Sequence, residues 1–113
     1  MIKAIFDLNT NTKYIKLTVK GHAKYAEVGK DIVCSAATIL ADTVAMIVLD
    51  LERRDLLVQK PRIKRERGNM IIACKPAEEA FDEAIHTYLV AQTGFKILNY
   101  NFKDYVEVKP FGY

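Results

Sequence analysis

The sequence predicts an α+β fold of ββαββαβ order, a mainly antiparallel sheet with two helices packed on one face. Three observations carry that reading. Two apolar runs of period two open the chain across a short polar turn, a second such pair lies beyond a long apolar helix, and an amphipathic helix separates that pair from a last short strand.

Strand one is predicted over Met1 to Leu8, with Ile2, Ala4, Phe6 and Leu8 on one face. Strand two, Tyr14 to Lys20, turns Ile15, Leu17 and Val19 inward and Lys16, Thr18 and Lys20 outward. The polar run Asn9-Thr10-Asn11-Thr12 closes the hairpin. From Gly21 to Lys30 the chain lacks apolar periodicity and carries two glycines, which reads as a mobile loop delivering the chain to the next helix. Asp31 is placed to cap that helix, over Ile32 to Leu51, leaving Cys34 at its third position. The helix is apolar on nearly every side, so burial on most faces is expected, centrally or partly against a second subunit. Ser35, Thr38, Asp42, Thr43, Asp50 and the caps argue against a membrane span, which needs about 20 predominantly apolar residues.

The second hairpin is read as a strand from Leu56 to Lys64, a turn around Glu66-Arg67-Gly68-Asn69 and a strand from Met70 to Lys75. Pro61 within the first of these implies an edge position or a bulge. Pro76 opens a helix from Ala77 to about Thr93, whose apolar stripe is Phe81, Ala84, Ile85, Tyr88 and Leu89, opposed by Glu79, Glu83 and Val90. Gly94 is its natural stop. Tyr105 to Val108 form the last strand.

At 113 residues the chain is long enough for one core and too short for two, so residues 1–113 are read as a single domain. Seventeen basic against 14 acidic residues leave +3, far from the excess of a dedicated nucleic-acid binder. The start Met1-Ile2-Lys3-Ala4-Ile5-Phe6-Asp7 flanks its short apolar run with charges, unlike a signal peptide, and a cytoplasmic location is expected. Two cysteines in that setting are expected to be free thiols, and their spacing implies neither zinc nor any other cofactor.

The chemistry concentrates around Gly21-His22-Ala23 and the run Gly29-Lys30-Asp31-Ile32-Val33-Cys34. A thiol in the first turn of a helix faces unpaired N–H groups and the positive end of the helix dipole, both of which favour thiolate. With an imidazole nearby, Cys34 becomes a nucleophile and His22 its base and then its acid, while the free N–H groups of the helix start are candidate oxyanion donors. Gly21 and Gly29 would let the His22 loop open and close. Asp31 has two readings, as helix cap or as a third member orienting His22, and the cap leads. Alone, a cysteine at a helix start is more often a small buried hydrophobe and a loop histidine a surface residue.

Taken together, Gly21-His22-Ala23, Gly29, Asp31-Ile32-Val33-Cys34 and the hydroxyl of Thr38 one turn further resemble the signature of the ribosomal-processing cysteine protease (Prp) family. The likeness extends over the chain through the order of elements and the ending Gly94 to Val108. It implies a small homodimeric cysteine endopeptidase, catalytic through Cys34 and His22, that removes the N-terminal extension of a large-subunit ribosomal protein after a phenylalanine-rich segment. Where the family pattern usually reads Ala-Ala-Val-Ser after the cysteine, this chain has Ser35-Ala36-Ala37-Thr38, which alters the rim of the site. Family-like proteins also occur beside phage structural genes, so a phage capsid or scaffold protein is the other implied substrate. No membrane partner is expected.

The segment Lys60-Pro61-Arg62-Ile63-Lys64-Arg65-Glu66-Arg67 carries five positive charges and one negative. A solvated strand edge guarded by charge is the leading reading, because no aromatic residue is there to stack a base. A non-catalytic ribosome- or RNA-associated dimeric module using this arm is the alternative function, with Glu78, Glu79, Asp82 and Glu83 of the second helix a possible acidic counterpart across a dimer. Cys74, mid-strand, and His86, on the polar side of helix two, are expected to take no part in chemistry.

Overall fold

A computed structural model describes residues 1–27 and 30–112, so the expected role of Gly29 falls outside the described residues. The elements are β1 (Ile2–Asn9), β2 (Tyr14–Lys20), α1 (Ile32–Arg53), β3 (Arg62–Glu66), β4 (Asn69–Cys74), a short 3-10 turn (Glu78–Ala80), α2 (Phe81–Asn101) and β5 (Val106–Lys109). They form a five-stranded sheet of order β3-β4-β2-β1-β5, antiparallel throughout except where β5 joins β1 in parallel, Ile2 opposite Val106. The α+β class and the ββαββαβ order are those the periodicities predict.

The first hairpin closes as its residues dictate. Asn9 Oδ1 accepts the N–H groups of Asn11 and Thr12, both at 3.0 Å, and Lys13 takes the left-handed backbone that returns the chain to β2. One face of the sheet then carries Ile2, Ala4, Phe6, Ile15, Leu17, Val19, Ile72 and Val106, all buried in one cluster with residues of both helices. The register sets Lys3, Asp7, Lys16, Lys20, Lys64 and Glu107 on the other face, so the helices cover one side and charge solvates its opposite.

Two boundaries and one helix face depart from the sequence reading. The third strand begins at Arg62 and not at Leu56. Pro61 has no N–H for the ladder, and ahead of it Leu56 to Val58 make only a short rung on the Lys75–Ala77 segment, through Val58 N–H to Lys75 O and Ala77 N–H to Leu56 O, both 2.8 Å. As its charge implies, β3 is an edge strand. Gly94 does not stop α2, which continues to Asn101. Its missing side chain serves packing between the helices, since a Cβ there would lie 2.5 Å from Leu40 Cδ2. The buried face of α2 is accordingly Ala84, Tyr88, Ala91, Phe95 and Leu98, and Leu89, expected inside, is exposed.

Helix α1 is long and apolar enough to cross a membrane by length and composition, yet Val33, Ala37, Ala41, Val44, Val48 and Leu51 are buried in the core. Burial is confined to that face. Ile32, Ile39, Met46 and Leu49 are exposed, so the helix is not buried on most sides within one chain. After β5 the chain folds back, with Phe111 against Phe6 and Tyr88 and its N–H donated to Gln92 Oε1 at 2.8 Å.

Candidate active site

Asp31 organises the site. Its Oδ1 accepts the N–H groups of Val33 and Cys34, both at 3.0 Å, and its Oδ2 accepts those of Tyr25 at 3.0 Å and Ala26 at 3.3 Å. One carboxylate thus caps α1 and pins the preceding loop to the helix it feeds. Burial pushes this carboxyl up, but the hydrogen bonds from Cys34, Ala26 and Tyr25 outweigh it and hold it below the ordinary carboxylate range. Both oxygens are committed to backbone, which leaves the cap reading as the one the geometry expresses.

The same cap removes an expectation. The N–H groups of Val33 and Cys34 are spent on Asp31, and that of Ser35 donates to Asp31 O at 3.0 Å, so these three are not open to an oxyanion. The N–H aimed at the sulfur comes from the loop, Ala23 donating to Cys34 Sγ at 3.4 Å. Sequence reasoning passed over Ala23 because a backbone donor leaves no trace in residue type.

Cys34 is half-buried and His22 exposed. Both line one cleft of about 580 Å³, together with Gly21, Asp31, Ser35, Thr38 and Ile39 on one side and Arg65, Glu66, Arg67 and Gly68 of the β3–β4 turn on the other. The cleft brings together Gly21, His22, Asp31, Cys34 and Thr38, the described residues that the sequence places in the site. No hydrogen bond joins His22 to Cys34 among the described residues. Instead the imidazole lies against Gly68, where an added Cβ would be 2.5 Å from Nε2.

Gly21, read as a hinge, is fixed in place. Its N–H donates to Gly68 O at 2.9 Å, its φ is +89°, and a Cβ would meet Met1 O at 2.3 Å. A glycine is required there by close backbone approach to the start of β1, whatever the loop beyond it does.

The charges of the arm are partly internal. Arg65 forks onto Asp42 of α1, Nε to Oδ1 at 2.7 Å and Nη2 to Oδ2 at 2.8 Å, and Lys64 sits 3.6 Å from Glu66. Glu83 of α2 pairs with Arg54 in the same chain. Cys74 is buried on β4 and His86 is exposed with Nδ1 at 2.7 Å from Asp82 O; neither lines the cleft.

A thiol at a capped helix start, facing a cleft that an imidazole also lines, on a two-layer α+β scaffold, is an arrangement suited to a small cysteine hydrolase. The chain belongs to the family described as cysteine protease Prp, whose model matches residues 1–107, and it is a cysteine protease. Its fold is similar to that of the essential ribosomal processing protease Prp from S. aureus. The structure of that protein with a covalently linked product peptide superposes with a TM-score of 0.75 at 18% identity, over 98% of this chain and 99% of the other. With a substrate peptide the TM-score is 0.69, again at 18% identity and over the same shares. A Streptococcus mutans protein is similar with a TM-score of 0.65 at 19% identity, over 96% of this chain and 92% of that one. No protein of curated function matches the chain.

Proposed function

We propose that the chain is an endopeptidase that removes the N-terminal extension of a large-subunit ribosomal protein, with Cys34 as nucleophile and His22 as base and acid. The observation that carries the reading is the Cys34 sulfur, set at the start of α1, receiving the Ala23 N–H inside the cleft that His22 lines. The family supplies the reaction class, and the S. aureus relative, a ribosomal processing protease, supplies the substrate class.

The chemistry runs through this chain's own groups. His22 takes the Cys34 proton, and the thiolate adds to the scissile carbonyl carbon. The oxyanion that forms is held by the Ala23 N–H, the donor already directed at the sulfur. Collapse breaks the C–N bond, and the leaving amine takes the proton from His22. Water, giving a proton to the same imidazole, then attacks the thioester, releasing the acid and restoring the thiol. Ile2, Val19, Ala37, Ile39 and Met70 give the cleft an apolar lining suited to the apolar residues ahead of the scissile bond. Thr38 stands on the rim and Asp31 holds loop and helix together. A cytoplasmic setting keeps both thiols reduced.

The test is cleavage of two full-length substrates by the purified protein, a large-subunit ribosomal protein bearing a phenylalanine-rich extension and a phage capsid or scaffold protein. Cleavage of the first is expected, and it is lost by several orders of magnitude in Cys34→Ala and His22→Ala at unchanged fold. Cleavage of the phage protein alone transfers the chemistry to a capsid role. Full activity in Cys34→Ala ends the catalytic assignment.

The active form is a homodimer in this reading. Ile32, Ile39 and Met46 stand on one line of α1 at 58%, 64% and 68% exposure, and Leu40, Ile47 and Val90 border an apolar groove of about 300 Å³ between the helices. A two-fold copy is the economical cover for such a face, burying about 1,200 to 2,000 Å² if stable. Sedimentation at micromolar concentration should give the dimer, and a strictly monomeric species refutes it without touching the catalytic assignment.

A further inference from the structure

The turn between β3 and β4 is remote in sequence from both catalytic candidates, yet three contacts tie it to them. Gly68 O accepts the N–H of Gly21, the residue directly before His22, at 2.9 Å. A side-chain carbon at position 68 would lie 2.5 Å from His22 Nε2 and 2.7 Å from Cε1, so the imidazole occupies the space that any other residue would fill. At the adjoining end of β3, Arg65 grips Asp42 with both arms of its guanidinium, fastening the hairpin to the helix that carries Cys34.

The turn itself asks for a residue that tolerates φ of +77°, which explains a glycine, asparagine or aspartate there. It does not ask for a histidine ring seated on its backbone. That contact is the independent observation: a Cβ at position 68 would push the exposed ring aside, so only glycine leaves the imidazole where it lies. We propose that Gly68 is a positioning residue for the His22 imidazole, held in place by the Arg65–Asp42 fork. This rests on His22 being the acid–base group. A ring resting on a fixed turn has fewer orientations to lose when substrate arrives, and small misplacements of a proton-transfer group cost about 100-fold in rate.

Gly68→Ala places a methyl where the ring lies, and Gly68→Asn does so with a residue that accepts positive φ. Both should lower kcat at least about tenfold with KM within about twofold, because the ring moves while the apolar cleft stays. Alkylation of Cys34 by iodoacetamide gives a second readout. Its pH profile should change in Gly68→Asn when His22 is present and stay unchanged when the same substitution is made in His22→Ala, the non-additivity of a shared device. Equal changes in both backgrounds overturn the proposal, as does wild-type kcat in Gly68→Asn. A Gly68→Asn protein that fails to fold also overturns it, since the glycine then serves the chain alone. Full activity in His22→Ala removes instead the acid–base assignment beneath it.

Discussion

Cys34 and Cys74 are the same side chain in opposite settings. Cys34 begins a helix, half-buried at the edge of a cleft, with a backbone N–H directed at its sulfur. Cys74 ends a strand at 1% exposure, on the face of the sheet that meets α2. Burial pushes its thiol up, only partly offset by the Tyr88 hydroxyl, whose single proton is shared between Cys74 Sγ at 3.7 Å and Ile72 O at 3.1 Å. The difference teaches that position on an element sets how far each thiol meets solvent and which donors face it, since composition treats the two alike.

Exchanging the two cysteines in turn sharpens that contrast most. Cys34→Ala is expected to abolish turnover, whereas Cys74→Ser should keep it and lose about 1–3 kcal/mol of stability by burying a hydroxyl short of partners, readable as a lower urea midpoint at unchanged slope. Loss of turnover in folded Cys74→Ser would break the comparison.

A smaller effect is expected at the cap that separates the two settings. Asp31→Ala deprives four N–H groups of their acceptor and should cost on the order of 2 kcal/mol, with Cys34 losing its fixed place over the loop. Because the folded carboxyl lies below its ordinary value, the Asp31 contribution is complete above about pH 4. It disappears as pH falls through the lowered folded value. Asp31→Asn should therefore flatten the acid limb of the stability curve, and an unchanged limb would show that the charge is not what the N–H groups hold.

The smallest effect lies at the helix crossing beneath both regions. Gly94→Ala gains about 1 kcal/mol in helix propensity and meets Leu40 Cδ2 at 2.5 Å, so the two nearly cancel. In a Leu40→Ala background the same substitution should turn clearly stabilising in thermal melts. A stabilisation identical in both backgrounds would mean that the crossing does not need the glycine.

Much of this was legible in the residues. The period-two runs of β1 and β2, the Asp31 cap and the start of α1 at Ile32 are local patterns, and local patterns are written in neighbouring residues. The errors share a cause. Gly94 reads as a helix stop because its contact with Leu40 is invisible along the chain, and Gly21 reads as a hinge because Met1 O is equally distant in sequence. Two of the N–H groups read as free at the helix start, those of Val33 and Cys34, are taken by the cap that the sequence itself predicts.

By itself, then, the sequence determined element type, element order and the inward face of the first hairpin, because propensity, capping and alternation act over a few residues. Only the tertiary structure decided that the imidazole rests on Gly68, that Ala23 supplies the N–H at the sulfur, that Arg65 clamps the β3–β4 turn to α1, and which face of α1 stays uncovered. Those are contacts between segments far apart in the chain, made by backbone atoms and missing side chains as often as by side chains present. Residue type carries no record of them until packing brings the segments together.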